Sequence, residues 1–350
     1  MKISPVLKQA IQSLPPAYFA LVMATGIVSI GAHLVGWEAI STTLFWVNKL
    51  AYTGLLTLLL LRLVLFFPAV LTDLTSHARG PGFFTVVAGS CVLGIQYQLL
   101  AHHSGVATVL WYFALGLWVV LVYAFFVGVI ISPEKPTLEK GLNGTWLLIT
   151  VSIQSLAVLG TLLAAQLPFP TSVILFGAVC AFLLGFVFYL FLISLILYRL
   201  LFLPEKAEAF TPPYWIDMGA VAITTLAGAT LIERIQAATH TGLADLLPFL
   251  KGVSLVAWAT ATWWIPLIVL LEGWRHGAKK VPVAYTPQYW SLVFPIGMYV
   301  VASWRLAEAQ RWPFLFPIAQ GFSYAALVAW AATFLAMCVH LVKSIRQPAS

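Results

Sequence analysis

Between residues 80 and 133, and again between 141 and 198, the chain contains no Asp, Glu, Lys or Arg. Charge-free runs of this length cannot form the surface of a water-soluble domain. A membrane-crossing helix needs about 20 apolar residues, so each run holds two helices joined by a short turn. The composition agrees, with 61% hydrophobic and only 8% charged residues, against about 25% charged in soluble domains. Strict alternation over about 10 residues, the mark of a membrane barrel, is missing. The chain reads as an all-α integral membrane protein.

Apolar stretches predict ten spans, at 16–36, 42–67, 82–101, 105–131, 142–165, 172–201, 213–235, 247–271, 287–307 and 314–342. They form one transmembrane domain over 1–350, with short tails at 1–15 and 343–350. The longest connections, 68–81, 202–212 and 272–286, leave no room for a soluble domain. Lys2, Lys8 and the pair Pro15-Pro16 do not fit a cleaved signal peptide. Thirteen Lys and Arg fall on the side holding both termini and five on the other. By the positive-inside rule this predicts a multi-pass protein of the plasma (inner) membrane with both termini in the cytoplasm.

The net charge of +7 lies in scattered short loops, which argues against a nucleic-acid partner. Cys91, Cys180 and Cys338 each sit in an apolar segment, so neither disulfides nor thiolate metal sites are expected. His33, His102, His103 and His240 lie toward the span ends opposite the termini, without a metal-ligand motif. No phosphate-binding G-x-x-x-x-G-K-[ST] loop occurs. An enzyme needs convergent titratable groups, and the bilayer-depth sequence offers almost none. No cofactor, metal or catalytic residue is expected.

The odd-numbered spans open alike: P-A-Y-F at Pro16, P-G-F-F at Pro81, N-G-T-W at Asn143, P-P-Y-W at Pro212 and P-Q-Y-W at Pro287. Their second aromatics, Phe19, Phe84, Trp146, Trp215 and Trp290, recur every 62 to 75 residues, one helical hairpin each. Proline at a first helical turn and aromatics at the membrane interface are common separately. Their joint recurrence predicts five parallel hairpins related by an axis along the membrane normal. After the aromatics the odd spans turn rich in small and hydroxyl residues, whereas the even spans stay bulky. Small residues let helices approach closely or leave room for a path, and bulky ones suit lipid. The simplest arrangement puts the odd helices inside, lining a pore, and the even helices outside. Candidate lining residues are Met23, Thr25, Gly26, Ala88, Gly89, Thr150, Gly219, Gly297 and Met298.

Span nine carries the adjacent pair Phe294-Pro295 at its centre. Proline removes one backbone hydrogen bond and predicts a kink there. Four residues past the second aromatic, the repeat aligns Met23, Ala88, Thr150, Gly219 and Phe294. If that level faces the axis, one phenylalanine among modest side chains forms a hydrophobic constriction, which can gate a pore. Otherwise Phe294 packs in the core or against lipid.

The runs L-P-P-A-Y-F-A-L-V-M-A-T-G-I-V-S-I (14–30), G-P-G-F-F-T (80–85), V-L-G-I-Q (92–96) and W-S-L-V-F-P-I-G-M-Y (290–299) resemble the tellurite-resistance/dicarboxylate transporter family. That family includes plant guard-cell slow anion channels, fungal malate carriers and sulfite efflux pumps. The resemblance covers nearly the whole chain. It implies ten helices with quasi-five-fold symmetry, a largely uncharged central pore, a phenylalanine of the ninth helix as gate, here Phe294, and a homotrimer of separately conducting protomers.

Anions are the expected cargo on physical grounds too. All five odd helices start on the basic side, so their partly positive N-termini converge there, and a cation path would normally show acidic rings. Asp217 is the one acid at depth in the odd spans. It is expected either as an ion-pair or dipole partner or as a proton-coupling group. Arg305 with Glu308, and Glu233 with Arg234, are read as ion-paired groups at the interface or, alternatively, as an outer anion-selective ring. Lys49 and Arg62 are expected to snorkel in opposite directions. The leading expectation is an anion channel or passive facilitator for small inorganic or dicarboxylate anions in the lipid bilayer. The alternative is a proton-coupled C4-dicarboxylate (malate-like) or sulfite/tellurite oxyanion transporter.

Overall fold

The computed structural model describes residues 5–346 except 205 and 239–241. His240 therefore lies outside the described residues. Ten helices are long and apolar enough to cross a membrane: Pro16–Leu34, Glu38–Leu65, Gly80–Leu99, Ser104–Ile131, Gly144–Leu162, Thr171–Phe202, Pro212–Ala237, Ala244–Ala278, Pro287–Gln310 and Pro313–Lys343. They are numbered spans 1 to 10 below, and all ten expected spans are present. Sequence reading missed the helix Pro5–Gln12 before span 1 and the short helix Phe67–Leu74 between spans 2 and 3. It also ended span 8 too early, because a π-helical turn, Gly273–Ala278, carries that span onward.

Inside and outside separate cleanly. In the most apolar window of each odd span at least 78% of residues are buried, against at most 39% in any even span. A helix apolar on every face is stable in either setting, and residue size decides which it takes. Each even span packs on its own odd partner and on the next odd span, while the odd spans contact one another in the order 1, 3, 5, 7, 9 and back to 1. Span 10 closes the circle on span 1, where the Trp330 indole donates to Thr25 Oγ1 at 3.0 Å.

Every odd span begins with one 3-10 turn: Pro16–Phe19, Gly80–Phe83, Gly144–Leu147, Pro212–Trp215 and Pro287–Tyr289. Four of these turns carry proline at their first or second position. There the missing N–H costs nothing, because first-turn amides have no intrahelical acceptor. In the fifth, Asn143 Oδ1 accepts from the Thr145 amide at 2.9 Å instead. Each turn touches its two neighbours, so the five form a closed ring. The sequence repeat is thus a structural repeat, and it marks the basic end of the molecule.

Candidate functional site: two cavities on one axis

The five inner helices enclose a cavity at each end. At the basic end, about 370 Å³ is walled by Ala17, Gly82, Thr145, Pro213 and Ser291, one from each odd span, with Arg79, Thr286 and Gln288 beside them. At the opposite end, about 350 Å³ is walled by Ile27, Val92, Val158, Ile223 and Met298, again one from each odd span. Glu233, Arg234 and Arg305 line that second cavity toward the span ends.

On span 9, Ser291 faces the first cavity and Met298 the second. Seven residues of helix separate them by about 10 Å. Phe294 stands three residues after Ser291 and four before Met298, so it shares their helix face and lies between the two cavities. Its side chain is 1% exposed. The helix continues unbroken from Trp290 to Gln310 through Pro295.

The other rings of this helix are pinned. Trp290 donates to Tyr285 Oη at 3.3 Å, and Trp304 donates to Glu308 at 2.9 Å. Tyr299 stacks on Trp258 and shares a 2.8 Å hydrogen bond with Thr262. Among the described residues, no ring or cation stacks on Phe294. Its position rests on van der Waals contact alone.

The repeat arithmetic finds the cavity wall better than composition does. Ile27, Val92, Ile223 and Met298 each stand eight positions after the second aromatic of their span. One helical turn back on the same face come Met23, Ala88, Gly219 and Phe294. Span 5 departs from the pattern. Its residue at that level, Gln154, turns away and donates to the Phe182 carbonyl of span 6 at 3.0 Å, and Val158 lines the cavity one turn further on. Thr150, the span 5 candidate, is fully buried with an unbonded hydroxyl.

Other candidates lie at helix contacts. Thr25 accepts from Trp330 of span 10. A methyl group added at Gly26 would meet Val92 and Asn48, at Gly89 it would meet Val22 at 3.3 Å, and at Gly297 it would meet Ile27 at 2.9 Å. These small residues let helices approach, the packing alternative weighed above. Gly219 does so at the level of Phe294, where an added Cβ would fall 2.8 Å from the Pro295 ring.

Asp217 stands in the first α-helical turn of span 7, as a dipole partner would, but without the expected ion pair. It is fully buried, both its carboxylate oxygens lack a hydrogen-bond partner, and it forms no ion pair among the described residues. Two residues from Gly219, it lies about 200° around the helix from it, and Tyr189 Oη of span 6 donates to its backbone carbonyl at 3.3 Å. It lines neither cavity.

Arg305 does pair with Glu308, at 2.9 Å. Arg234 donates to the Leu162 carbonyl at the end of span 5, at 3.2 Å. Both arginines also line the outer cavity, but only Arg305 is ion-paired there; the expected pair of Glu233 with Arg234 does not form among the described residues.

Arg62 does not snorkel. It is 2% exposed, with Nη2 on Asp73 Oδ2 at 2.5 Å and Nε donating to the Gln12 carbonyl at 3.0 Å. Asp73 also holds Arg79, whose Nε lies 2.8 Å from Oδ1. The helix Phe67–Leu74, invisible to span counting, is what brings Asp73 there. Lys49 lies over the Trp46 ring, 3.0 Å from its centroid. His103 accepts from the Val106 amide at 3.4 Å and so caps span 4. No cluster of three metal-binding side chains occurs among the described residues.

Comparison with known proteins agrees with this architecture. The family model described as SLAC1, voltage-dependent anion channel, matches residues 13–338. The uncharacterized membrane protein Rv1735c of Mycobacterium tuberculosis is 41% identical over 152 residues, covering 43% of this chain and 76% of that protein. Two uncharacterized transporters of Methanocaldococcus jannaschii are each 23% identical. MJ0576 matches over 93% of this chain and 92% of its own length, and MJ0762 over 84% of each.

Proposed function

We propose, for a chain that belongs to the SLAC1 voltage-dependent anion channel family, that small anions cross the bilayer along the axis of the five odd spans and that Phe294 closes this path. The observation that carries the reading is the pair of cavities walled by the same five helices, with Phe294 on the face that joins them. A ring without a hydrogen bond or stacking partner can leave the axis by rotamer change alone, which needs no domain motion. Met23, Ala88 and Gly219 share the barrier with it, and Thr150 lies at the same level of the repeat. The ring of 3-10 turns faces the cytoplasm in this reading, which the excess of Lys and Arg on that side supports. That excess raises the local anion concentration at the mouth. The protein works in the plasma (inner) membrane as a homotrimer, each protomer conducting alone.

Planar-bilayer current under a chloride gradient tests this, with wild type beside Phe294→Ala. The variant carries at least about tenfold more current, equivalent to about 1.4 kcal/mol of barrier, and reverses near the chloride potential. Equal currents from both proteins would make Phe294 a packing residue. The second reading, a proton-coupled dicarboxylate or oxyanion carrier, draws on the buried, unpartnered Asp217. It predicts malate uptake into liposomes that follows an imposed pH gradient and is lost in Asp217→Asn. Flux indifferent to that gradient removes it.

A further inference from the structure

We propose that the cavity at the basic end is a binding site for a monovalent oxyanion, with Arg79 as its charged donor and Ser291 as its deepest neutral donor. This rests on the anion-path reading above and adds where, and on which groups, an anion is held before it meets Phe294.

Arg79 is the one charged residue on the cavity wall among the described residues. Its Nε faces Asp73, and its two terminal nitrogens meet no other group among the described residues. The Asp73 carboxylate is shared with the buried Arg62. Two guanidiniums against one carboxylate leave a single net positive charge, and Asp73 holds Arg79 at the mouth. The side chain of Arg79 is 47% exposed, so an incoming anion can reach it.

Ser291 supplies the second, independent observation. It is 5% exposed and lines the cavity. Ser90, Ser155, Ser254 and Ser323, buried in other spans, each return their hydroxyl hydrogen to the carbonyl four residues back, and Ser29 and Ser152 donate to other carbonyls. Four residues before Ser291 is Pro287, in the 3-10 turn, and the Ser291 hydroxyl has no partner among the described residues. A buried hydroxyl facing a cavity with its donor unspent is a group waiting for an acceptor.

The chemistry of the wall selects the ligand. Span 3, which follows Arg79, and span 9, which carries Ser291, are separated in the ring by span 1. Charge therefore stands on one side of the cavity, and hydroxyl and amide donors (Ser291, Gln288, Thr286) on the other. An anion with several acceptor oxygens satisfies both sides, whereas a halide satisfies either one. A C4 dicarboxylate would bring a second negative charge that no second cation on this wall meets, and desolvating an unpaired charge is costly. Nitrate or hydrogencarbonate fits the pattern.

The test is the thermal midpoint of the purified full chain in detergent, titrated with nitrate, chloride or succinate at constant ionic strength. A ligand that binds the folded state alone raises the midpoint with concentration. Nitrate is expected to act at concentrations at least about fivefold lower than chloride or succinate. Arg79→Gln weakens nitrate about tenfold, Arg79→Lys restores part of it, and Ser291→Ala weakens it about threefold, in line with losing a charged and a neutral hydrogen bond. Arg234→Gln, at the other cavity, leaves the nitrate response unchanged. No nitrate response in wild type overturns the proposal, as does a response that survives both Arg79→Gln and Ser291→Ala. Stronger stabilisation by succinate overturns its monovalent character. The measurement involves no flux, so it is independent of the gate: Phe294→Ala retains the nitrate response even if its bilayer current equals that of wild type.

Discussion

At the basic end the starts of the inner helices and the residues just before them present proline, alanine and glycine together with serine, threonine, glutamine and an arginine. At the opposite end the same helices present isoleucine, valine, leucine and methionine, with charge only toward the span ends. The difference follows from which part of a helix builds each wall. The first cavity is made where helices start, and starts favour proline and hydroxyl residues because first-turn amides lack internal acceptors. The second is made from helix bodies within the hydrocarbon depth, where an unpaired polar group is costly. One set of five helices thus yields one cavity with hydroxyl and amide groups on its wall and another walled mainly by branched apolar side chains, with about 10 Å of helix between them.

The largest expected effect comes from the supports of the polar end. Arg62→Met leaves Asp73 with only the half-exposed Arg79 and should cost about 3 kcal/mol of stability, as for other broken buried pairs. Thermal unfolding in detergent measures it. A loss under about 1 kcal/mol would mean that Arg79 alone holds Asp73 and that the two ends are equally robust. Next comes the barrier. Gly219→Val pushes into Pro295 and should cost about 2 kcal/mol by overpacking, while Gly252→Val, in span 8 with nothing within 4 Å, should change stability by less than about 0.5 kcal/mol. Similar values for the two would show that the barrier is loose. The smallest effect belongs to the opposite rim. Glu308→Gln breaks the exposed pair with Arg305 at a cost under about 1 kcal/mol, detectable as a slight midpoint shift that vanishes in high salt.

How much of this was legible beforehand depended on the period of each signal. The ten spans needed only hydropathy, and the five recurring starts marked where the odd spans begin, though not that these starts fold as a ring of 3-10 turns. The level singled out from the repeat, four past the second aromatics, lines neither cavity; the outer wall is reached one turn further on, eight past them, in four spans. Helix rotation was another matter. In a helix apolar on all sides no stripe marks the inner face, so Gly26, Gly89 and Gly297 could not be told apart from true wall residues. Asp217 was read only in part: it stands in the first α-helical turn of span 7, where a dipole partner belongs, but no ion-pair partner meets it among the described residues. Arg62 was misread because its partner sits on a helix too short for span counting to reveal.

The ring of 3-10 turns leaves one more mark, on how substitutions combine. Two of its joints are glycine against backbone: a Cβ at Gly82 would fall 2.8 Å from the Ala17 amide nitrogen, and one at Gly144 would meet the Pro213 carbonyl. In an open row of helices each such intrusion would be accommodated locally, and two of them would simply add. A closed hoop has a shared circumference, so widening one joint relieves the others. The pair Gly82→Ala and Gly144→Ala should therefore cost less together than the sum of the two alone, an epistasis between residues whose spans are neighbours in the ring and whose joints are not the same joint.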